Sequence, residues 1–242
     1  MSNHEVLSAL DRARVNYGND QCITVFEHAY QKSRQEAVAL LNDQALKFPS
    51  LFILLPKIDA YNLYPSLNTR NATACNVVKR ILRPEEFYDD NLFVSAHESL
   101  HPILKWMLQT GGEADGLNDD YERVMDFIAS MLLVVYHDKS MLPAVLDLIA
   151  KRYKQAHYYH NLVWAYFQVH DPYVLELVAE RLLSPEQEDV ELACYLLNLD
   201  YPRPPVDKQQ LYDNFHQWLE ENTPYLYFTG ESMQFSSRPV FC

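Results

Sequence analysis

Apolar residues recur three and four positions apart almost from end to end, which predicts an all-α chain. Ser2 with Glu5 reads as a capping box opening a helix over roughly 3–16, and Tyr17-Gly18-Asn19 stops it. Asp20 can cap the next helix, with Ile23, Phe26, Ala29 and Tyr30 on one face. Ser33 with Glu36 is a second capping box before Ala37, Leu40, Leu41 and Ala45. Pro49, Pro56 and Pro65 then cut the chain into short pieces. A helix over roughly 71–83 ends before Pro84.

From Asn91 the pattern becomes regular. Leu92, Phe93, Ala96, Leu100, Ile103, Leu104, Met107 and Leu108 form one helical stripe, and Gly111-Gly112 breaks it. Asn118 caps an apolar helix reaching about Tyr136, and Ser140 is placed to cap the next one. Further helices are expected over roughly 157–169, from Asp171-Pro172 to Leu183, and from Ser184-Pro185-Glu186-Gln187 to Leu199. Tyr201 to Val206 reads as a stiff proline linker, and Asp207 caps a last helix to about Asn222. The short connections predict neighbouring helices that run antiparallel.

Three segments, His101-Pro102-Ile103-Leu104, Leu142-Pro143-Ala144-Val145-Leu146 and Asp171-Pro172-Tyr173-Val174-Leu175, resemble first helices of HEAT-type repeats, where a proline often bends the helix. Asp189-Val190-Glu191-Leu192-Ala193-Cys194-Tyr195-Leu196-Leu197 resembles a second helix of such a repeat. The resemblance spans about residues 92–199. It implies antiparallel hairpins stacked as a short HEAT-like solenoid, and a protein-binding scaffold as the role. The expected organisation is an irregular helical part over 1–84, a helical array over 85–200, and a linker, final helix and aromatic tail over 201–242, read as one continuous domain.

Composition narrows the function. There are 33 Asp and Glu against 20 Lys and Arg, a net charge of −13. That field repels phosphate backbones and suits a basic protein partner. The candidate basic patches are Lys151-Arg152-Tyr153-Lys154, Lys79-Arg80 and Arg83, and cations near helix ends ordinarily serve the dipole. No apolar run approaches the roughly 20 residues that cross a bilayer, and Met1-Ser2-Asn3-His4-Glu5 does not resemble a secretory signal. Cys22, Cys75, Cys194 and Cys242 are widely spaced without a CxxC pair, so reduced thiols and a cytoplasmic location are expected.

One motif carries chemistry. His97-Glu98-Ser99-Leu100-His101 matches HExxH, in which histidines four apart share a helix face and grip Zn²⁺ while the glutamate takes a proton from bound water. Glu122, followed by Asp126, resembles the Glu-x-x-x-Asp of thermolysin-like gluzincins. On that resemblance His97, His101 and Glu122 would be ligands and Glu98 the general base. Pro102 argues against it: it removes the bond to the Glu98 carbonyl at a cost of about 3 kcal/mol. Helical phasing also turns His101 towards solvent, and turns Glu122 away from the face of Tyr121, Val124, Met125, Ile128 and Leu132. The metalloprotease family places a β-sheet upstream, and no alternating strand precedes His97.

Two aromatic segments remain. His157-Tyr158-Tyr159-His160, with His170 nearby, reads as a packing stripe continued by Leu162, Val163, Tyr166 and Phe167, with a ligand site as the alternative. The tail carries Tyr225, Tyr227, Phe228, Phe235 and Phe241, which either fold back over the last helices or dock to a partner. The residues therefore favour a non-catalytic protein-protein interaction module without a cofactor. It would be an adaptor, chaperone-like or immunity-type inhibitor with a basic protein partner. A zinc-dependent metallohydrolase is the alternative.

Overall fold

The computed structural model describes residues 7–86, 97–200 and 207–226, with only the backbone at His97. Its regular elements are all helical, and no strand occurs among the described residues. Helix α1 (Ala9–Tyr17) starts at Ser8, whose extended backbone frees its hydroxyl to accept the Asp11 N–H at 3.1 Å. The Ser2–Glu5 box lies outside the described residues, and the expected run of helix through Leu7 and Ser8 is absent because Ser8 caps instead. Gly18, at φ 91°, turns the corner in one residue, so α2 (Asn19–Lys32) begins before the expected cap Asp20. Ser33 caps α3 (Arg34–Leu41) through the Glu36 N–H, as expected.

Three prolines shape the stretch from Lys47 to Asn68. Each sits in the first turn of a short element, where its missing N–H has no helical partner to lose. These are α4 (Phe48–Ile53), α5 (Leu55–Ala60) and a 3₁₀ turn over Tyr64–Ser66. Asn68 caps α6 (Thr69–Leu82), which stops before Pro84. Helix α7 (His97–Gly111) runs through Pro102 without interruption. Pro102 is exposed, so water can reach the Glu98 carbonyl, while the buried Leu100, Leu104, Met107 and Leu108 hold the helix down. Asn118 caps α8 (Asp119–Ser130), and the chain continues as a π turn over Met131–Val135.

Contacts divide the chain into two compact units, residues 1–128 and 129–242. In the first, α4 packs against α1, α2, α6 and α7, and α6 against α7. Its centre is a ring cluster: Tyr121 lies 5.5 Å from Phe48 and 4.9 Å from Phe52, and Trp106 lies 6.2 Å from Phe48. A polar knot fixes α1 to the start of α4. The buried Asp11 carboxylate accepts from Ser8 Oγ at 2.5 Å, Ser50 Oγ at 2.6 Å and the Lys47 N–H at 3.0 Å.

The second unit contains α9 (Leu142–Lys154), α10 (His160–Phe167), α11 (Tyr173–Glu180), α12 (Gln187–Leu197) and α13 (Lys208–Asn222). Helix α9 packs against α10, α11 and α12, and α11 packs against α12 and α13. The start of α9 differs from expectation: Asp138, not Ser140, accepts the Ser140 N–H at 3.0 Å, and a 3₁₀ turn intervenes. Ser140 lies inside that turn with its hydroxyl donating to the same carboxylate, and no side chain caps α9 itself. Asp171 and Asp207 take up N–H groups at the starts of α11 and α13 as their sequence suggests, whereas α12 begins only at Gln187 without a side-chain cap, and Ser184 accepts the Glu186 N–H in the turn before it.

Candidate functional site

The HExxH segment forms the first turn of α7. Glu98 is exposed and His101 half-buried, and the His97 side chain lies outside the described residues. Glu122 is half-buried on α8, beside Tyr121, Val124, Met125 and Ile128, which are buried as the phasing predicts. The neighbouring Tyr121 hydroxyl donates to the Gly111 carbonyl at 2.9 Å. A Cβ on Gly111 would sit 2.8 Å from that hydroxyl and 3.0 Å from Met125 Sδ, so glycine permits this approach. Gly111 is ten residues past His101, about 15 Å along the helix. That anchor draws the start of α8 towards the end of α7 opposite the histidines. Among the described residues, no three His, Cys, Asp or Glu side chains form a group that could hold a metal ion.

The candidate basic patches are committed to structural work. Arg152 is fully buried and donates to the Tyr158 carbonyl at 3.0 Å. Lys154 pairs with Glu186 and lies 2.8 Å from Asp189. Lys79 bonds Asp59 at 2.6 Å and stands 3.8 Å above the Tyr64 ring. Arg80 is buried against Asn76, and Arg83 faces Glu86. The three thiols among the described residues are buried, and burial pushes Cys22 and Cys194 up to about 11 and Cys75 up to about 12, while Cys242 lies outside the described residues.

The corner between α9 and α10 carries a cluster of aromatic rings. Helix α9 ends in a Schellman turn, with the His157 N–H bonded to the Arg152 carbonyl at 2.9 Å and Ala156 in the left-handed region at φ 56°. The turn and the Arg152–Tyr158 bond fix the backbone that carries the rings. Tyr153 meets Tyr159 edge-on at 5.9 Å, Tyr159 stacks on His160 at 5.0 Å, and Tyr158 lies 5.3 Å from His160. Only part of the expected stripe is core. Leu162, Val163, Tyr166 and Phe167 are buried, whereas Tyr158 is 58% exposed.

Helix α12 completes this surface. Tyr195 is 42% exposed on this helix, which packs against α9, and burial chiefly pushes up the Tyr159 phenol, with Tyr195 adding to it. Glu188 and Glu191 add to the effect of burial in pushing up the Tyr153 phenol. The two helices are tied through Asp189, which accepts from Ser184 Oγ at 2.8 Å and faces both Lys154 and Arg181. Burial pushes its carboxyl up, but the Lys154 ammonium, the Ser184 hydroxyl and the Arg181 guanidinium together hold it below the usual range. Tyr195 was the residue least visible in sequence. Its signal is an aromatic outside the buried stripe of Val190, Leu192, Ala193, Leu196 and Leu197.

In the tail, Tyr225 closes a 3₁₀ turn and is 69% exposed. Tyr227, Phe228, Phe235 and Phe241 lie outside the described residues. No helix among the described residues is long and apolar enough to cross a membrane. No protein-family model, curated protein or solved structure matches this chain.

Proposed function

We propose that the chain is a non-catalytic protein-binding module, of adaptor, chaperone-like or immunity-type inhibitor kind, whose partner is a basic protein. The observation that carries this reading is the exposed aromatic corner of α9 and α10 beside Tyr195 of α12. Tyrosine contributes large contact area with few rotors to freeze, which suits a binding surface. The net charge of −13 sets the sign of the partner. We read α9 with α10, and α11 with α12, as successive hairpins of a short HEAT-like array. Connections of five residues within the first hairpin and six within the second, and the packing of α9 on α11, support that arrangement.

The test is affinity capture at two salt concentrations, followed by rebinding of the purified captured protein. A basic protein that rebinds stoichiometrically, more weakly at higher salt, is the expected result. Rebinding insensitive to salt, or none, overturns the proposal. The zinc alternative has its own outcome: one zinc per chain, lost in His97→Ala, with a hydrolase activity lost in Glu98→Gln. Such a result would replace the binding reading with a catalytic one.

A further inference from the structure

We infer that the α9–α12 surface is an arginine site: the rings of Tyr153, Tyr158, Tyr159 and Tyr195, bordered by Glu188 and Glu191, receive guanidinium groups presented by the partner protein. This rests on the protein-binding reading and adds the chemistry that is recognised. Tyrosine faces attract a cation, and a planar guanidinium can stack on a ring while its N–H groups reach a carboxylate at the edge.

Charge complementarity selects this occupant. Glu188 is exposed and Glu191 half-buried on the helix that presents Tyr195. The cations around them are already engaged: Lys154 with Glu186 and Asp189, Arg181 with Asp147 and Asp189, and Arg152 inside the core. An anionic ligand would face the two carboxylates, and a second copy of the chain would bring another −13 charge. The surface is also ordered in advance. The Schellman turn and the Arg152 bond to the Tyr158 carbonyl hold the corner, so little freedom is lost on binding.

The experiment is fluorescence anisotropy with a labelled Gly/Ser peptide carrying three arginines, and the same peptide with citrulline or lysine in their place. The full chain should bind the arginine peptide about tenfold more tightly than the citrulline peptide, with lysine between them. Tyr158→Ala and Tyr195→Ala should each weaken binding about five- to tenfold, Glu188→Gln less, and Tyr158→Phe very little. Glu220→Gln with Glu221→Gln, on α13, removes two charges elsewhere and should change nothing. Equal binding of arginine and citrulline peptides, no binding at all, or loss in the α13 variant matching that in the tyrosine variants would overturn the inference. The protein-binding reading would survive those results, because it is decided by rebinding of the captured partner.

Discussion

Asp189 is where charge, fold and the aromatic surface meet, and Asp189→Asn isolates its contribution. Its side chain is 9% exposed and bonds Ser184 Oγ at 2.8 Å, while the Lys154 ammonium sits 2.8 Å from its other oxygen. An asparagine keeps the shape and an acceptor for Ser184 but loses the charge. A buried hydrogen bond or contact to a charged group contributes about 1.5–3 kcal/mol. Lys154 retains Glu186, and Arg181 retains Asp147, so the expected loss is about 2 kcal/mol, towards the lower end of that range. With an m-value of about 2 kcal/mol per molar urea, the midpoint of the affected transition should fall by about 1 M. The sign with pH follows from the lowered carboxyl. Its stabilisation is complete above the unfolded value of about 3.9 and is lost as pH falls through the folded one. The gap between wild type and variant should therefore hold from pH 7 to 5 and shrink below about pH 4. Urea unfolding by circular dichroism at each pH measures it. A midpoint change under about 0.3 M at pH 7, or a gap that widens in acid, would refute this placing of the charge.

Three further outcomes are expected. Ala156→Gly relieves a left-handed backbone at the end of α9 and should stabilise the second unit by about 0.5–1 kcal/mol in the same urea assay, whereas a loss would show that the Ala156 methyl makes contacts worth more than the strain. Asp11→Ala strips the acceptor from two hydroxyls and the Lys47 N–H, and should destabilise the first unit by about 3–4 kcal/mol, with Asp11→Asn costing less because its amide oxygen can still accept from Ser8 and Lys47 while its NH2 donates to the Ser50 hydroxyl. Cys22, Cys75 and Cys194 should react with a disulfide reagent at pH 8 only on unfolding, since burial keeps all three protonated, and their rapid modification in the native protein would contradict that burial.

Helix starts were legible in the sequence where one side chain reaches an N–H two or three residues on. Ser33, Asn118 and Asp207 do so, and such contacts need no tertiary structure, while Asn68 makes the same contact although the pattern alone started that helix near 71. The choices between neighbours were less legible. Asp138 caps a 3₁₀ turn that takes Ser140 into it, and Gly18 pre-empts Asp20 through a backbone angle that pattern alone does not reveal. Contacts between distant segments were not legible at all. The Asp11 knot joins residues 36 and 39 positions apart, and Arg152 reads as a surface cation until the α9 stripe carries it inside. The aromatic corner was visible as His157-Tyr158-Tyr159-His160, but its exposure and its partners on α12 depend on how α9 packs against that helix.

The most direct test of the proposed binding surface is titration calorimetry of the purified partner against the wild-type chain and the Tyr158→Ala/Tyr195→Ala double variant. Two exposed aromatic anchors at about 1–2 kcal/mol each should weaken binding by at least 30-fold, with unfolding midpoints unchanged. An affinity within about twofold of wild type would place the interface elsewhere and remove the aromatic corner from the function.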